Sequence, residues 1–204
     1  MDRRELLKMI ALVTGGVVIG GEVFLTGCKS PGKPDIGFTS ANISLLNEIG
    51  ETILPATSSP GAKAAQVGEF MKVFVTDCYT EKQQEVFNNG MSAIDEASRK
   101  MNGKSFLEST PQQRHELLLS IEKEAKAYDE KITVEEQPQR DQAKKELKEF
   151  QPAPRHYYTM MKQLTLLGFF TSKVGCTQAL RHVAVPGKYD GAYPYKKGDK
   201  AWAE

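Results

Sequence analysis

The side chains able to do chemistry in this chain are few and widely spaced. The three histidines are His115, His156 and His182. No two of them stand at the i, i+4 spacing that presents a pair of imidazoles to a metal from one helix. A metal site would need the fold to bring them to carboxylates or to Cys176, and nothing in their spacing directs that. Cys176 and His182 flank one short predicted helix, and a thiol beside an imidazole is the pairing of a nucleophile and its base. Their separation does not put them on the same helical face. With His156 and an acidic residue such as Asp77 they form the fullest catalytic set the chain could offer, and no motif supports it. His115 opens a charged helix and reads as a surface residue. His156, beside Tyr157 and Tyr158, reads as a contact residue.

The motifs that hold common cofactors are missing. No Cys-x-x-Cys-His attaches haem to this chain. No Gly-x-Gly-x-x-Gly follows a strand, since the early glycines 15, 16, 20 and 21 have the wrong spacing. There is no phosphate loop and no Gly-x-Ser-x-Gly elbow. Charge is nearly balanced, with 27 basic against 26 acidic residues and a formal net charge of +1. That leaves no basic excess for phosphates, so nucleic acid is not an expected partner. Polar-tipped aromatics gather instead near the end of the chain, at Tyr189, Tyr193, Tyr195 and Trp202. Such rings bury much area and keep a hydrogen bond, which suits interfaces. The tail therefore faces a partner, wraps its own helices, or does both.

Helices must position these groups. Hydrophobic content of 40% and charged content of 26% over 204 residues fit one soluble domain with a leader. Thr39 or Ser40 starts a first helix with Ile43, Leu46, Ile49 or Gly50, and Ile53 on one face, and Pro55 stops it. A two-proline turn follows. Val67 to Asp77 is the second helix, with Val67, Phe70, Met71, Phe74 and Val75 inward. Thr80 with Gln83 forms a capping box for the third, whose stripe is Phe87, Met91, Ile94 and Met101, and Asn102-Gly103 ends it. Thr110-Pro111 with Gln113 starts the fourth, with Leu117, Leu118, Ile121, Ala125 and Tyr128 buried. Residues 129–150 carry much charge and few apolar anchors, and read as a solvated helix or a loop excursion. Pro152-Ala-Pro154 precedes a fifth helix over Arg155–Ser172. It runs into a Gly-Cys-Thr-Gln turn, a short helix and a long irregular tail. Apart from a candidate pair at Val183 and Val185, no strand is expected. The predicted class is all-α: about five main helices in a compact domain, residues 40–204, without internal repeats.

The start of the chain reads as an export signal over residues 1–27 and a tether over 28–39. A charged opening leads into an uncharged, glycine-rich run from Met9 to Gly21, shorter than the ~20 residues a spanning helix needs. Arg3-Arg4 resembles the twin-arginine motif that exports folded passengers; a general secretory signal is the alternative. Leu25-Thr-Gly-Cys28 resembles a lipobox, which would place diacylglycerol on the Cys28 thiol and leave the domain anchored to a membrane. An ordinary cleavage site is the other reading. Outside the cytoplasm, conditions permit a Cys78–Cys176 bridge; free thiols or a bond to another chain are the alternatives.

Four stretches together carry a family resemblance: Ile53-Leu-Pro-Ala-Thr-Ser-Ser-Pro-Gly-Ala62, Leu164-Thr-Leu-Leu-Gly-Phe-Phe-Thr-Ser172, Thr177-Gln-Ala-Leu-Arg181 and Val185-Pro-Gly-Lys-Tyr-Asp-Gly191. In this order they resemble the gluconate 2-dehydrogenase subunit 3 family, from about Ser40 to Trp202. Residues 129–150 look like a family-variable region. Many members carry Cys after the Tyr-Asp-Gly, where this chain has Ala192, so a disulfide from that position does not transfer. The resemblance implies an accessory subunit of a periplasmic, membrane-associated dehydrogenase. A large subunit would carry FAD and oxidise a sugar or sugar acid, and a cytochrome c subunit with haem c would take the electrons. The small subunit would bear the export signal for a folded flavoprotein. No catalytic, cofactor-binding or metal-ligating residue of this chain follows from it. The expected partner contacts are Phe169, Phe170, Tyr189, Tyr193 and Tyr195. A stand-alone envelope lipoprotein is the competing reading.

Overall fold

The computed structural model describes residues 38–203 apart from 186, 188 and 189. The signal at residues 1–27, Arg3, Arg4, Cys28, most of the tether and Tyr189 lie outside the described residues. Within them the fold is helical, as expected. Its α-helices are α1 (Ser40–Ile53), α2 (Val67–Cys78), α3 (Glu81–Asn102), α4 (Pro111–Lys145) and α5 (Tyr157–Thr171). A 3-10 turn, Ala62–Ala65, and a π-helical turn, Gly175–Ala179, complete the set.

The helix starts follow the local chemistry of the sequence. The Thr39 hydroxyl accepts from the Asn42 N–H. Thr80 with Gln83, and Thr110 with Gln113, form reciprocal capping boxes, the second with Pro111 at the first helical position. Gly103 takes φ +69° at the end of α3, a left-handed conformation that suits glycine. The end of α2 is closed from a distance: the Gln84 side-chain amide on α3 donates to the carbonyls of Val75, Thr76 and Tyr79. These are carbonyls that a helix end leaves without an internal partner.

Helix α5 is the centre of the packing and touches each of the other four α-helices and both short turns. Its Tyr158, Met160, Met161, Leu164, Thr165, Gly168 and Phe169 are buried. Leu46, Ile49, Val67, Met71, Val75, Phe87, Ile94, Leu117, Leu118 and Ile121 are core residues from the other helices. Gly90 on α3 leaves room for α5: a Cβ there would lie 2.4 Å from the Tyr157 Cβ. Of the expected core residues, Ile43, Ile53, Phe70 and Phe74 are half-buried, and two are exposed, Met101 at 54% and Tyr128 at 44%. Each of these two stands at the edge of its helical stripe. Phe106, outside any helical pattern, is fully buried instead. Its N–H donates to Asp95 Oδ1 (2.9 Å), and a buried Ser98–Ser109 hydroxyl pair (3.0 Å) holds the same loop on α3.

Two polar clusters tie distant segments together. Glu48 on α1 accepts from Lys63 and Arg114, and Arg114 also donates to the carbonyls of Phe106 and Leu107. Burial pushes the Glu48 carboxyl up, but the hydrogen bonds from Lys63 and Arg114 outweigh it and hold it below the usual carboxylate range. The second cluster fixes the start of α5. Asp129 on α4 accepts from the His156 N–H (2.9 Å) and the Thr159 hydroxyl (2.6 Å), a carboxylate placed at a helix N-terminus. His156 Nδ1 accepts from the Tyr158 N–H at 3.2 Å.

The charged stretch after residue 129 thus takes the helical alternative as far as Lys145, with Pro138 inside it. Its anchors are polar, which is why the apolar pattern does not show them. Asp129 and Thr133 receive Arg155, and the buried Glu136 accepts the Ala153 N–H.

Two predictions follow from this packing. Gly90→Ala replaces a poor helix former, yet the new methyl meets the Tyr157 backbone-proximal carbon. It should lower stability by about 1–3 kcal/mol in urea unfolding followed by circular dichroism, where a pure propensity effect would raise it by about 1 kcal/mol. His156 gives a pH signature. Burial lowers its folded-state value, against Asp129 and Glu124, from an ordinary value of 6.5. A depressed histidine contributes stability that is complete above the unfolded value and is lost as pH falls through the folded one. His156→Asn keeps an N-cap acceptor without titrating. The melting temperature of the wild type should therefore fall more steeply than that of the variant as pH drops below about 6.5, and parallel curves would contradict the role of His156.

Candidate docking surface

The residues considered for chemistry do not gather. His115 and His182 are exposed on separate elements, Asp77 is exposed on α2, and His156 is occupied as the cap of α5. Among the described residues, no three of His, Cys, Asp and Glu stand close enough to hold a metal ion. Cys78 is exposed and Cys176 half-buried, and both are free thiols, so the bridge that the compartment would permit is not formed. The Cys176 thiol donates to the Phe170 carbonyl at 3.0 Å.

The Gly-Cys-Thr-Gln segment is not a turn leading to a further helix. It is itself wound into the π-helical turn, and the chain leaves it extended at Leu180. Ser172 sets its start: its hydroxyl donates to the Phe169 carbonyl (2.7 Å) and accepts the Gly175 N–H (3.0 Å). Position 175 has no room for a side chain, because a Cβ would lie 1.9 Å from the Phe169 carbonyl oxygen. The role of this stretch is to turn the backbone off the end of α5.

The uncovered side of α5 is apolar. Leu166, Leu167 and Phe170 are 38%, 43% and 40% exposed and share one stripe of the helix. Phe169, expected beside Phe170 at a partner, is 2% exposed. Adjacent helical positions point about 100° apart, so the expectation is corrected there: Phe169 fills the core, and its ring meets Phe170 edge-on at 5.1 Å. Toward the start of α5 the stripe borders a groove against α4. One part of the groove, about 580 Å³, is lined by Asp129, Thr133, Val134, Arg155 and Gln163. A neighbouring part, about 370 Å³, includes Ala125, Tyr158, Lys162 and Leu166. Lys162 bridges to Glu122 across it at 2.9 Å. Burial raises the Tyr158 phenol to about 12, so it stays protonated at the groove floor.

The tail does not wrap the helices. Residues 190–202 are exposed, with Tyr193 at 50%, Tyr195 at 77% and Trp202 at 46%. The tail closes on itself instead. Arg181 and Trp202 form a parallel bridge, through Arg181 N–H to the Ala201 carbonyl (2.8 Å) and Ala203 N–H to the Arg181 carbonyl (2.9 Å). That bridge is the only strand-like pairing among the described residues, so the candidate pair at Val183 and Val185 does not form. The Arg181 guanidinium lies 4.4 Å from the Trp202 ring centre and 5.3 Å from that of Tyr193. It also donates to the Tyr193 hydroxyl at 2.8 Å. Sequence reasoning found the tail's aromatics but not this closure, since a cation packed over two touching rings leaves no periodic trace.

No described helix is long and apolar enough to cross a membrane. No curated protein and no solved structure matches the chain. A family match covers residues 40–187, from the first residue of α1 to the early tail, and so includes the core built on α5, the groove and the apolar stripe. On that match, this chain belongs to the gluconate 2-dehydrogenase subunit 3 family.

Proposed function

We propose that this chain is the non-catalytic small subunit of a flavin-dependent dehydrogenase, and that it holds the large subunit through the uncovered side of α5. Family membership over residues 40–187 is the observation that carries the reading, because it makes the chain a dehydrogenase subunit. The exposed Leu166, Leu167 and Phe170 supply an apolar centre for the contact, and the α4–α5 groove supplies a polar rim. That division is the usual anatomy of a protein interface, which for a stable complex buries about 1,000 Å² or more. In this reading FAD and the oxidation of a sugar or sugar acid belong to the large subunit, and a cytochrome c with haem c receives the electrons. The present chain contributes binding and position.

The leader extends the same reading. Arg3 and Arg4 would send the small subunit through the export route for folded proteins, with the flavin-loaded large subunit as its passenger. Cys28 would then carry lipid and hold the complex on the periplasmic side of a membrane. One acyl chain binds a bilayer only marginally, whereas several hold a protein there stably.

Co-purification tests the docking. The tagged full chain, expressed with its large subunit, should bring down a yellow flavoprotein. Phe170→Arg together with Leu166→Arg places charge in the centre of the contact and should abolish recovery while leaving the helical circular dichroism unchanged. Full recovery with that double variant would move the interface elsewhere, and a wild-type chain that comes down alone would remove the reading. Anchoring is tested separately. Cys28→Ser should release the complex from the membrane fraction with dehydrogenase activity retained, whereas an unchanged membrane fraction would exclude a lipid on Cys28.

A further inference from the structure

The tail closure joins Arg181, inside the family match, to a segment that lies past its end. The family match stops at residue 187, whereas the closed segment runs over residues 190–203. That segment has internal order despite its exposure. Asp190 receives the Tyr193 N–H on its carbonyl (3.3 Å) and the Ala192 N–H on its carboxylate (3.1 Å). A second turn pairs Asp199 N–H with the Lys196 carbonyl (3.0 Å) and Lys196 N–H with the Asp199 carboxylate (3.0 Å), with Gly198 at φ +96°. Tyr193 and Trp202 meet edge-on at 5.8 Å. Arg181 lies over both rings and reaches Asp199 at 3.9 Å, and Lys200 donates to the Gln178 carbonyl on the π-helical turn. The segment is a hook whose base is fastened to the end of the α5 region.

Its charges are sorted. Asp190 and Asp199 are both used inside the hook, on backbone N–H groups and Arg181. Lys196 and Lys197, at the tip beside the 77%-exposed Tyr195, form no ion pair among the described residues. The exposed tip is therefore a tyrosine followed by two lysines with no carboxylate partner among the described residues. A structureless exposed tail loses much conformational entropy when it is captured, while a segment already closed loses less.

We infer that residues 190–203 form a preorganised hook, locked by Arg181, with which this subunit engages its large subunit through an acidic patch that receives Tyr195, Lys196 and Lys197. This rests on the reading that the chain docks a dehydrogenase large subunit, and deepens it: the uncovered side of α5 carries one contact and the hook carries a second. Arg181 is a positioning residue here. It would act through stacking and its forked donors, which lysine cannot reproduce although it keeps the charge.

Three measurements on the full-length chain test this. Trp202 is the only tryptophan, so its emission reports the lock directly. Arg181→Lys should increase acrylamide quenching of Trp202 and speed tryptic cleavage after Lys196 and Lys197, without changing the far-ultraviolet circular dichroism. The same variant should bind the purified large subunit about tenfold more weakly. Lys196→Glu with Lys197→Glu should weaken binding to a similar extent with the lock intact, and should remove most of its salt dependence. Unchanged quenching and cleavage in Arg181→Lys would overturn the lock. A loosened hook with undiminished affinity, or a tip variant that binds as tightly as the wild type, would overturn the hook's part in recognition while leaving the docking reading standing. A wild-type chain with no affinity for the large subunit would overturn both.

Discussion

The structure depends on burying one helix against everything else. α5 packs against the other four α-helices and both short turns, and its core-facing residues run from Tyr158 to Phe169. Burial of apolar area at this scale is the dominant favourable term in folding, at roughly 25 cal/mol per Å². It also sets conditions that other residues meet. α3 must carry glycine at position 90 where Tyr157 arrives, and position 175 must lack a side chain so that the backbone can leave. The helix N-terminus, taken out of bulk solvent, must have its donors satisfied, and Asp129 and the His156 ring do this from either side. A helix used in this way has one side left over, and that side is apolar at Leu166, Leu167 and Phe170. The docking part of the functional proposal uses this geometry: the element that organises the core also reaches the surface.

Much of this was legible in the sequence, because the signals concerned are local. Both capping boxes, the proline at position 111 and the glycine that ends α3 sit where side-chain chemistry near a helix end requires them. The apolar stripes of α1 to α4 were readable for the same reason, as a periodicity of 3.6 residues needs only one helix to define it. What was not legible depends on contacts between residues far apart in sequence. Phe106 is buried because Asp95 and the Ser98–Ser109 pair hold its loop, and no spacing announces that. Charged residues 129–145 look solvated until Arg155, Ala153 and His156 are seen to bond to Thr133, Glu136 and Asp129. Met101 and Tyr128 were misplaced at stripe edges, where a small rotation decides burial.

The candidate site shows the same division. The aromatic tail was recognisable as unusual, but composition could not decide between wrapping the helices and projecting from them. The decision lies with Arg181, whose single guanidinium gathers Tyr193, Trp202 and Asp199. Phe169 and Phe170 were indistinguishable as neighbours in sequence, and the fold separates them, one into the core and one to the surface. The residues with reactive side chains, by contrast, take separate places: His156 caps α5, and Cys176, His182 and Asp77 are not gathered by the fold.

The central claim is that the uncovered side of α5 is the contact with a dehydrogenase large subunit. Hydroxyl-radical footprinting of the full chain, alone and in the complex, measures this one side chain at a time. The account predicts that Leu166, Leu167 and Phe170 lose most of their oxidation on complex formation, while exposed residues on another face, such as Val73 and Met101, keep theirs. Unchanged oxidation at Leu166 and Phe170 in an intact complex would contradict it.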